Sequence, residues 1–262
     1  RLGHNTAGMR LFVTGAAGFI GSNFVRLVRG LAPDVPIVAY DALRYSGILA
    51  NLDPVADEVV FECGEVQDAE TVGRLLDEHQ ITHLVNFAAE SHNDRSLLDN
   101  SDFVQTNTFG VQVLLEQTRK HGLERMLHVS TDEVYGSIAE GEFTEQSPLQ
   151  PNTPYSASKA GGDLLCRAHW TSYRTPVVLT RGGNTYGPNH FPEKLVPFFL
   201  TRLLQGKKVP LYGEGNQVRE WIHVRDHAAG IWTVLTKGEP GEVYNIGDVN
   251  ERPNRIVVEK IL

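Results

Sequence analysis

The chain has 262 residues, 41% of them hydrophobic, with 24 Lys+Arg against 32 Asp+Glu and a formal charge of -8. At roughly 100–200 residues per domain, that length allows one large domain or two with ample core. A net negative chain without a block of like charges is a poor nucleic-acid binder, and no apolar run approaches the ~18 residues of a membrane span. Cys63 and Cys166 are far apart and in no Cys-x-x-Cys, so neither a disulfide framework nor a thiolate zinc site is supported. A soluble protein of the reducing cytoplasm is expected. Residues 1–8 lack an apolar stretch and precede Met9; they read as a loose tail rather than a signal peptide.

From Met9 short apolar runs alternate with longer amphipathic stretches. Residues 10–14 read as a first strand, and 18–30 as a helix with Phe19, Ile20, Phe24, Leu27 and Val28 inward. Further strands are expected at 36–40, 59–63, 83–88, 125–130 and 176–181. Helices are expected at 71–79, 102–121 (closed by Gly122) and 155–173. Strands separated by helices predict an α/β fold with a doubly wound parallel sheet, covered on both faces. This first domain spans 9–181. After it the chain turns to Gly/Pro-punctuated loops around a helix at 196–204. A smaller substrate-binding lobe is expected over 182–262, with 242–246 rejoining the sheet.

Gly15, Gly18 and Gly21 punctuate the turn between first strand and first helix, and Asp41 ends the next strand 20 residues after Gly21. That is the Rossmann dinucleotide arrangement: a tight turn, a pyrophosphate on the helix N-terminus and a carboxylate on the adenosine ribose. Asp41 would repel a 2′-phosphate, which favours NAD over NADP; the nearby Arg44 works against that preference. The spacing G-x-x-G-x-x-G differs by one residue from G-x-G-x-x-G and is the form used by short-chain dehydrogenase/reductases.

Tyr155 and Lys159 lie four apart on one helix face, after Pro154. An adjacent ammonium and a cationic nicotinamide would favour the phenolate, so Tyr155 can take a proton from a substrate hydroxyl while hydride leaves the same carbon. Thr131, Asp132 and Glu133 follow the fifth strand, where doubly wound sheets place their ligands. Two adjacent loop carboxylates are usually just solvated; as catalysts they would divide into acid and base. His79/His83 and His223/His227 each have His-x-x-x-His spacing, but neither carries the metalloprotease Glu or an obvious third ligand, so no metal site is expected.

These motifs, taken together, resemble the dTDP-glucose 4,6-dehydratases of the extended short-chain dehydrogenase/reductase superfamily. The likeness rests on 14–21 (TGAAGFIG), 88–96 (AAESHNDRS), 130–136 (STDEVYG), 155–163 (YSASKAGGD), Asn184 with Tyr186-Gly187-Pro188, 190–195 (HFPEKL), 211–215 (LYGEG) and 219–224 (REWIHV). It implies Thr131, Asp132, Glu133, Tyr155 and Lys159 as catalytic residues. It implies NAD held by Gly15, Gly18, Phe19, Ile20, Gly21, Asp41, Glu65, Val66, Ala88 and Ala89, with Tyr155 and Lys159. Ser91, Thr131, Asn184, Lys194, Leu195, Pro210, Tyr212, Arg219 and Asn254 would line the nucleotide-sugar site. The chain departs from the pattern at Asn93 (usually Val), Glu65-Val66 (usually Asp-Ile, the acidic residue touching the adenine) and Thr185 (usually Asn). It ends at Leu262, before a stretch with which the family completes its sugar-nucleotide lobe.

The resemblance implies oxidation at C4 of the hexose with Tyr155 as base, loss of the C5 proton to Glu133, and departure of the C6 hydroxyl with a proton from Asp132. The hydride then returns to C6, giving a 4-keto-6-deoxy sugar nucleotide. A UDP-sugar 4-epimerase would share the glycine turn and the Tyr/Lys pair but needs no acid–base couple for removing water. A GDP-mannose 4,6-dehydratase would run the same reaction on another nucleotide, and an NAD-binding regulator would predict a broken catalytic set. A homodimer is expected through helices 102–121 and 155–173, the second carrying Leu164, Leu165, Ala168 and Trp170 beyond its catalytic face.

Overall fold

The computed structural model describes residues 6–91, 96–97, 100–138, 140–211, 213–247 and 251–262. Its strands are β1 (Leu11–Thr14), β2 (Ile37–Asp41), β3 (Val60–Cys63), β4 (His83–Asn86), β5 (Arg125–Thr131), β6 (Val177–Gly182), β7 (Asn184–Tyr186), β8 (Val218–His223), β9 (Val243–Ile246) and β10 (Glu251–Pro253). Seven of them form one parallel sheet in the order β3-β2-β1-β4-β5-β6-β9, and β10-β8-β7 make a second, small sheet. The order reverses between β1 and β4, which opens a crevice at the carboxyl ends of those strands.

The helices are α1 (Phe19–Leu31), α2 (Ala69–Glu78), α3, α4 (Pro154–Tyr173), α5 (Leu195–Leu204), α6 (Val224–Lys237) and α7 (Asn254–Ile261). Helix α3 runs through Ser101–Val104, Gln105–Gly110 and Val111–Lys120, and its middle segment is wound as a π-helix. Alternation along the strands splits the apolar residues between two layers. Leu11, Val13, Ala39, Val85, Leu127 and Val178 face Phe24 and Val28 of α1 and Ile231, Trp232 and Leu235 of α6. Phe12, Val38, Tyr40, Leu84, Met126 and Val177 face α2, α3 and α4, including Leu75, Leu114 and Cys166.

The expected strands and helices up to residue 181 are present, with ends shifted by a residue or two. The 242–246 run does rejoin the sheet, as β9 beside β6. Helix α6 was not expected: Val224, Ala228, Ile231, Trp232 and Leu235 form its buried stripe, so the chain after residue 181 returns to the main sheet twice. Trp232 is fully buried near Phe24, and truncating such a side chain to Ala costs ~3–5 kcal/mol.

Candidate active site

The glycine turn is shaped by backbone contact. Gly15 has φ +64°, and a Cβ there would stand 2.6 Å from Ala88 N; a Cβ on Gly21 would run into the Gly15 carbonyl oxygen. Gly18 caps α1 with no side-chain bond, so the first N–H groups of the helix face a cleft. Asp41, buried at the end of β2, accepts from Ala17 N (2.9 Å) and Leu43 N (2.8 Å). Burial raises its carboxyl, and the backbone N–H groups of Leu43, Ala17 and Gly18 oppose the rise. A cradle that a side chain would fill, an open helix start and a carboxylate at the next strand's end fit a dinucleotide. Gly15, Gly18, Asp41, Glu65, Val66, Ala88 and Ala89 line one side of this cleft. Arg44, on its rim, bonds Glu65 (3.1 Å) and Asp102 (3.3 Å) and lies 3.6 Å from Glu90.

The cleft continues past Phe19, Ile20 and Gly21 to the ends of β5 and β6, where Thr131, Glu133, Tyr155 and Lys159 converge. A short 3-10 turn, Asp132–Tyr135, starts as β5 ends: Thr131 Oγ1 accepts from Glu133 N (3.2 Å) and donates to Asp132 Oδ1 (3.2 Å). Helix α4 begins with a capping box between Thr153 and Ser156 and Pro154 in its first turn, which sets Tyr155 and Lys159 one turn apart on its inner face. Lys159 is buried and donates from Nζ to Val129 O (2.7 Å). Burial pulls its ammonium down to about 8. Asp132 is pushed up to about 6 by burial and then by Glu133.

In the free protein burial, Glu133 and Asp132 all raise the Tyr155 phenol, and the Thr131 hydroxyl only partly opposes them. Lys159 spends a hydrogen bond on Val129 O. Lowering the Tyr155 phenol therefore falls to the Lys159 ammonium and to any positive charge a bound cofactor brings into the cleft.

Of the expected sugar-nucleotide residues, Ser91, Asn184, Lys194 and Leu195 line the same cleft, and Lys194 Nζ donates to Ser91 O (2.7 Å). Pro210 and Arg219 are solvent-exposed, although Arg219 is near enough to lower Asp132. The Asn254 backbone N–H donates to Gln217 O, and its side-chain Oδ1 is buried without a hydrogen-bond partner among the described residues. Tyr212 and Asn93 lie outside the described residues. Thr185 bonds His227 Nδ1 through its hydroxyl (2.8 Å), and burial pushes that imidazole down to about 4.

Asn107 was not anticipated. In the π-segment its Oδ1 accepts from Glu90 N (3.0 Å), and its Nδ2 donates to Glu90 O (2.9 Å) and Ser158 Oγ (2.9 Å). It thus ties the loop after β4 to α4. A polar Thr-Asn-Thr run in an otherwise amphipathic helix was the available signal.

Fold and site together define an extended short-chain dehydrogenase/reductase, with a carboxylate pair beside its Tyr/Lys couple. A family model described as GDP-mannose 4,6 dehydratase matches residues 12–262. The dTDP-glucose 4,6-dehydratase of Streptomyces griseus is 51% identical over 256 residues, covering 96% of this chain and 77% of that protein. DesIV, the dTDP-glucose 4,6-dehydratase of Streptomyces venezuelae solved with NAD bound, is 50% identical with a TM-score of 0.93, covering 97% of this chain and 80% of that one. The UDP-glucose 4-epimerase of Thermotoga maritima, solved with UDP-glucose, shares the fold (TM-score 0.89) at 27% identity, covering 97% of this chain and 81% of that one. The chain belongs to the dTDP-glucose 4,6-dehydratase family.

Proposed function

We propose that this chain is an NAD-dependent hydro-lyase that converts dTDP-glucose to its 4-keto-6-deoxy product. The observation that carries the reading is the Asp132-Glu133 pair on the turn after β5, next to the cleft that Tyr155 and Lys159 line. An epimerase needs the tyrosine and the lysine but has no water to remove. NAD, held along the glycine turn and by Asp41, would supply the hydride acceptor for C4 oxidation, the hydride donor for C6 and a positive ring near Tyr155. Tyr155 accepts the proton of the C4 hydroxyl, with the Lys159 ammonium favouring the phenolate. Glu133 removes the C5 proton, which the new ketone has acidified. Asp132, pushed up to about 6, gives its proton to the C6 hydroxyl, which leaves as water. A proton returned to C5 completes the product.

Residues 9–181 would act as the NAD-binding domain and 182–262 as the sugar-nucleotide lobe, with α6 and β9 serving the main sheet. Ser91, Thr131, Asn184, Lys194 and Leu195 would hold the substrate from the cleft wall, and Pro210, Tyr212, Arg219 and Asn254 from the lobe. A homodimer through α3 and α4 is supported by Val104, Phe109 and Leu164, large apolar side chains about half exposed on those helices. Leu165 and Trp170 pack instead against the chain's own core. A cytoplasmic setting, testable by cell fractionation, is supported by two free cysteines.

Incubation with dTDP-glucose should yield a product with the alkali-induced absorbance of a 4-keto sugar, while GDP-mannose and UDP-glucose turn over far more slowly. Absence of that product from NAD-loaded protein would overturn the reading.

A further inference from the structure

A line of polar side chains crosses the sheet beneath the cleft, from the glycine turn toward the second lobe. Thr14 Oγ1 donates to Asn86 Oδ1 (2.6 Å), and Asn86 Nδ2 donates to His128 Nδ1 (3.0 Å). From the other side, Tyr135 OH donates to Asn245 Oδ1 (2.7 Å) and accepts from Arg181 Nη1 (2.9 Å), while Arg181 Nε donates to Asp163 Oδ2 (2.8 Å). The two halves meet at His128 Nε2 and Asp163 Oδ1, 3.8 Å apart. Because the Asn86 amide nitrogen can only donate, His128 Nδ1 accepts and its proton sits on Nε2, facing Asp163. Every member but Tyr135 and Asn245 lies on β1, β4, β5, β6 or α4, so the line is as fixed as the sheet itself.

Asp163 stands where the two halves join and has no part in the chemistry proposed above. It is 2% exposed, one helical turn after Lys159 on α4, so both side chains share the inner face of the helix. Its Oδ2 accepts from Arg181, and Oδ1 has no direct hydrogen-bond partner among the described residues, with the Ser130 hydroxyl close by. A buried carboxylate held on one oxygen by a cation keeps a field that acts on its neighbours. One turn back on the same face stands Lys159, whose ammonium burial pulls down.

We propose that Asp163 is a positioning residue for the C4 oxidation: anchored by Arg181 and flanked by His128, its carboxylate keeps the Lys159 ammonium charged beside Tyr155. The inference rests on Tyr155 and Lys159 acting as proposed above. The other groups packed round Asp163 do not supply this charge. His128, on β5, is held neutral by burial and by Lys159; the Cys166 thiol, on α4, is held protonated by burial and by Asp163 itself. Ser130 and Tyr135 contribute hydroxyls, and Arg181, on β6, is a cation that opposes a second one nearby. Asp163 is the first group that counters the effect of burial on Lys159.

The test is the pH profile of the first-turnover NADH transient, followed by stopped flow on mixing NAD-loaded protein with dTDP-glucose, for wild type, Asp163→Asn and Asp163→Asn/Arg181→Met. In Asp163→Asn the alkaline limb should move down by about one unit or more, because the counter-charge is gone and Arg181 remains. The double variant, which removes the cation as well, should recover part of that shift. A nitrogen-15 NMR titration of Lys159 Nζ in the same proteins should move in parallel, and it needs no turnover. A folded Asp163→Asn whose limb and Nζ titration match wild type, or which loses rate equally at every pH, overturns the proposal. Failure of both variants to fold would make the ion pair structural and overturn it too. Wild type that forms no 4-keto product would instead sink the proposed reaction, leaving the Nζ titration to judge Asp163.

Discussion

Replacing Asp132 by Asn should move activity and stability in opposite directions. The carboxyl rises from 3.8 to about 6, a shift of roughly two units, for which burial is the first cause and Glu133 the second. At 1.36 kcal/mol per unit the ceiling is ~3 kcal/mol, and solvent at the half-buried side chain leaves ~1.5 kcal/mol. The sign follows from proton counts. Between 3.8 and about 6 the folded protein holds more protons at this site than the unfolded chain, so stability falls as pH rises through that window. Above it the full penalty is present; below 3.8 it is absent. Asn carries no such penalty. At neutral pH the variant should therefore melt ~3–6 °C above wild type by scanning calorimetry, with the gap closing as pH is lowered toward 3.8. Elimination should meanwhile slow by ~10²–10⁴, because an amide cannot supply the departing hydroxyl's proton. A variant that melts with or below wild type at neutral pH, or whose advantage persists in acid, would refute the reasoning.

Glu133→Gln should uncouple the cycle: NADH builds up on mixing with dTDP-glucose and persists, because loss of water slows by ~10²–10⁴, whereas Tyr155→Phe should abolish the NADH signal itself. Gly21→Ala should empty the purified protein of NAD, measured by extraction and chromatography, since the new methyl meets the Gly15 carbonyl. Wild type should hold NAD in clear excess over NADP, because Arg44 is bonded to Glu65 and Asp102; Glu65→Gln, which removes one of its carboxylate partners, should narrow the gap. Leu164→Arg should give a monomer by sedimentation if α4 carries the dimer contact, and an unchanged sedimentation coefficient would rule that contact out.

The main sheet was legible because its strands are buried on both faces and read as unbroken apolar runs between amphipathic helices. The glycine turn, Asp41 and the Tyr155/Lys159 pair were legible because their roles impose fixed spacings. Helix α6 was missed although its stripe is plain in retrospect. His227, Ala228, Ala229 and Gly230 dilute its hydropathy, and the Gly/Pro loops before it suggest irregular chain. Asn107, Asp163 and Arg181 lay beyond reading for another reason. A polar residue in a helix or strand cannot be placed until its tertiary neighbours are known, and theirs come from the loop after β4, α4, β6 and the Asp132–Tyr135 turn. The upward shift of Tyr155 also depends on neighbours distant in sequence.

The π-wound segment of α3 works as a phase shifter. In a regular α-helix residues five apart diverge by about 140°, yet Val104 and Phe109 both reach solvent while Phe103, Thr106 and Asn107 stay inside. The wider turn absorbs one extra residue, so the two ends of the helix keep one outer face and one inner face. Phe103, before it, packs edge-on against Tyr155 (6.4 Å between ring centroids), and Val111 and Leu114, after it, pack into the core. Deleting any one residue of Gln105–Gly110 would rotate one end against the other by about 100°. Either Phe103 would leave Tyr155 or the core contacts of the second half would come undone. In this helix the count of residues matters more than the identity of most of them.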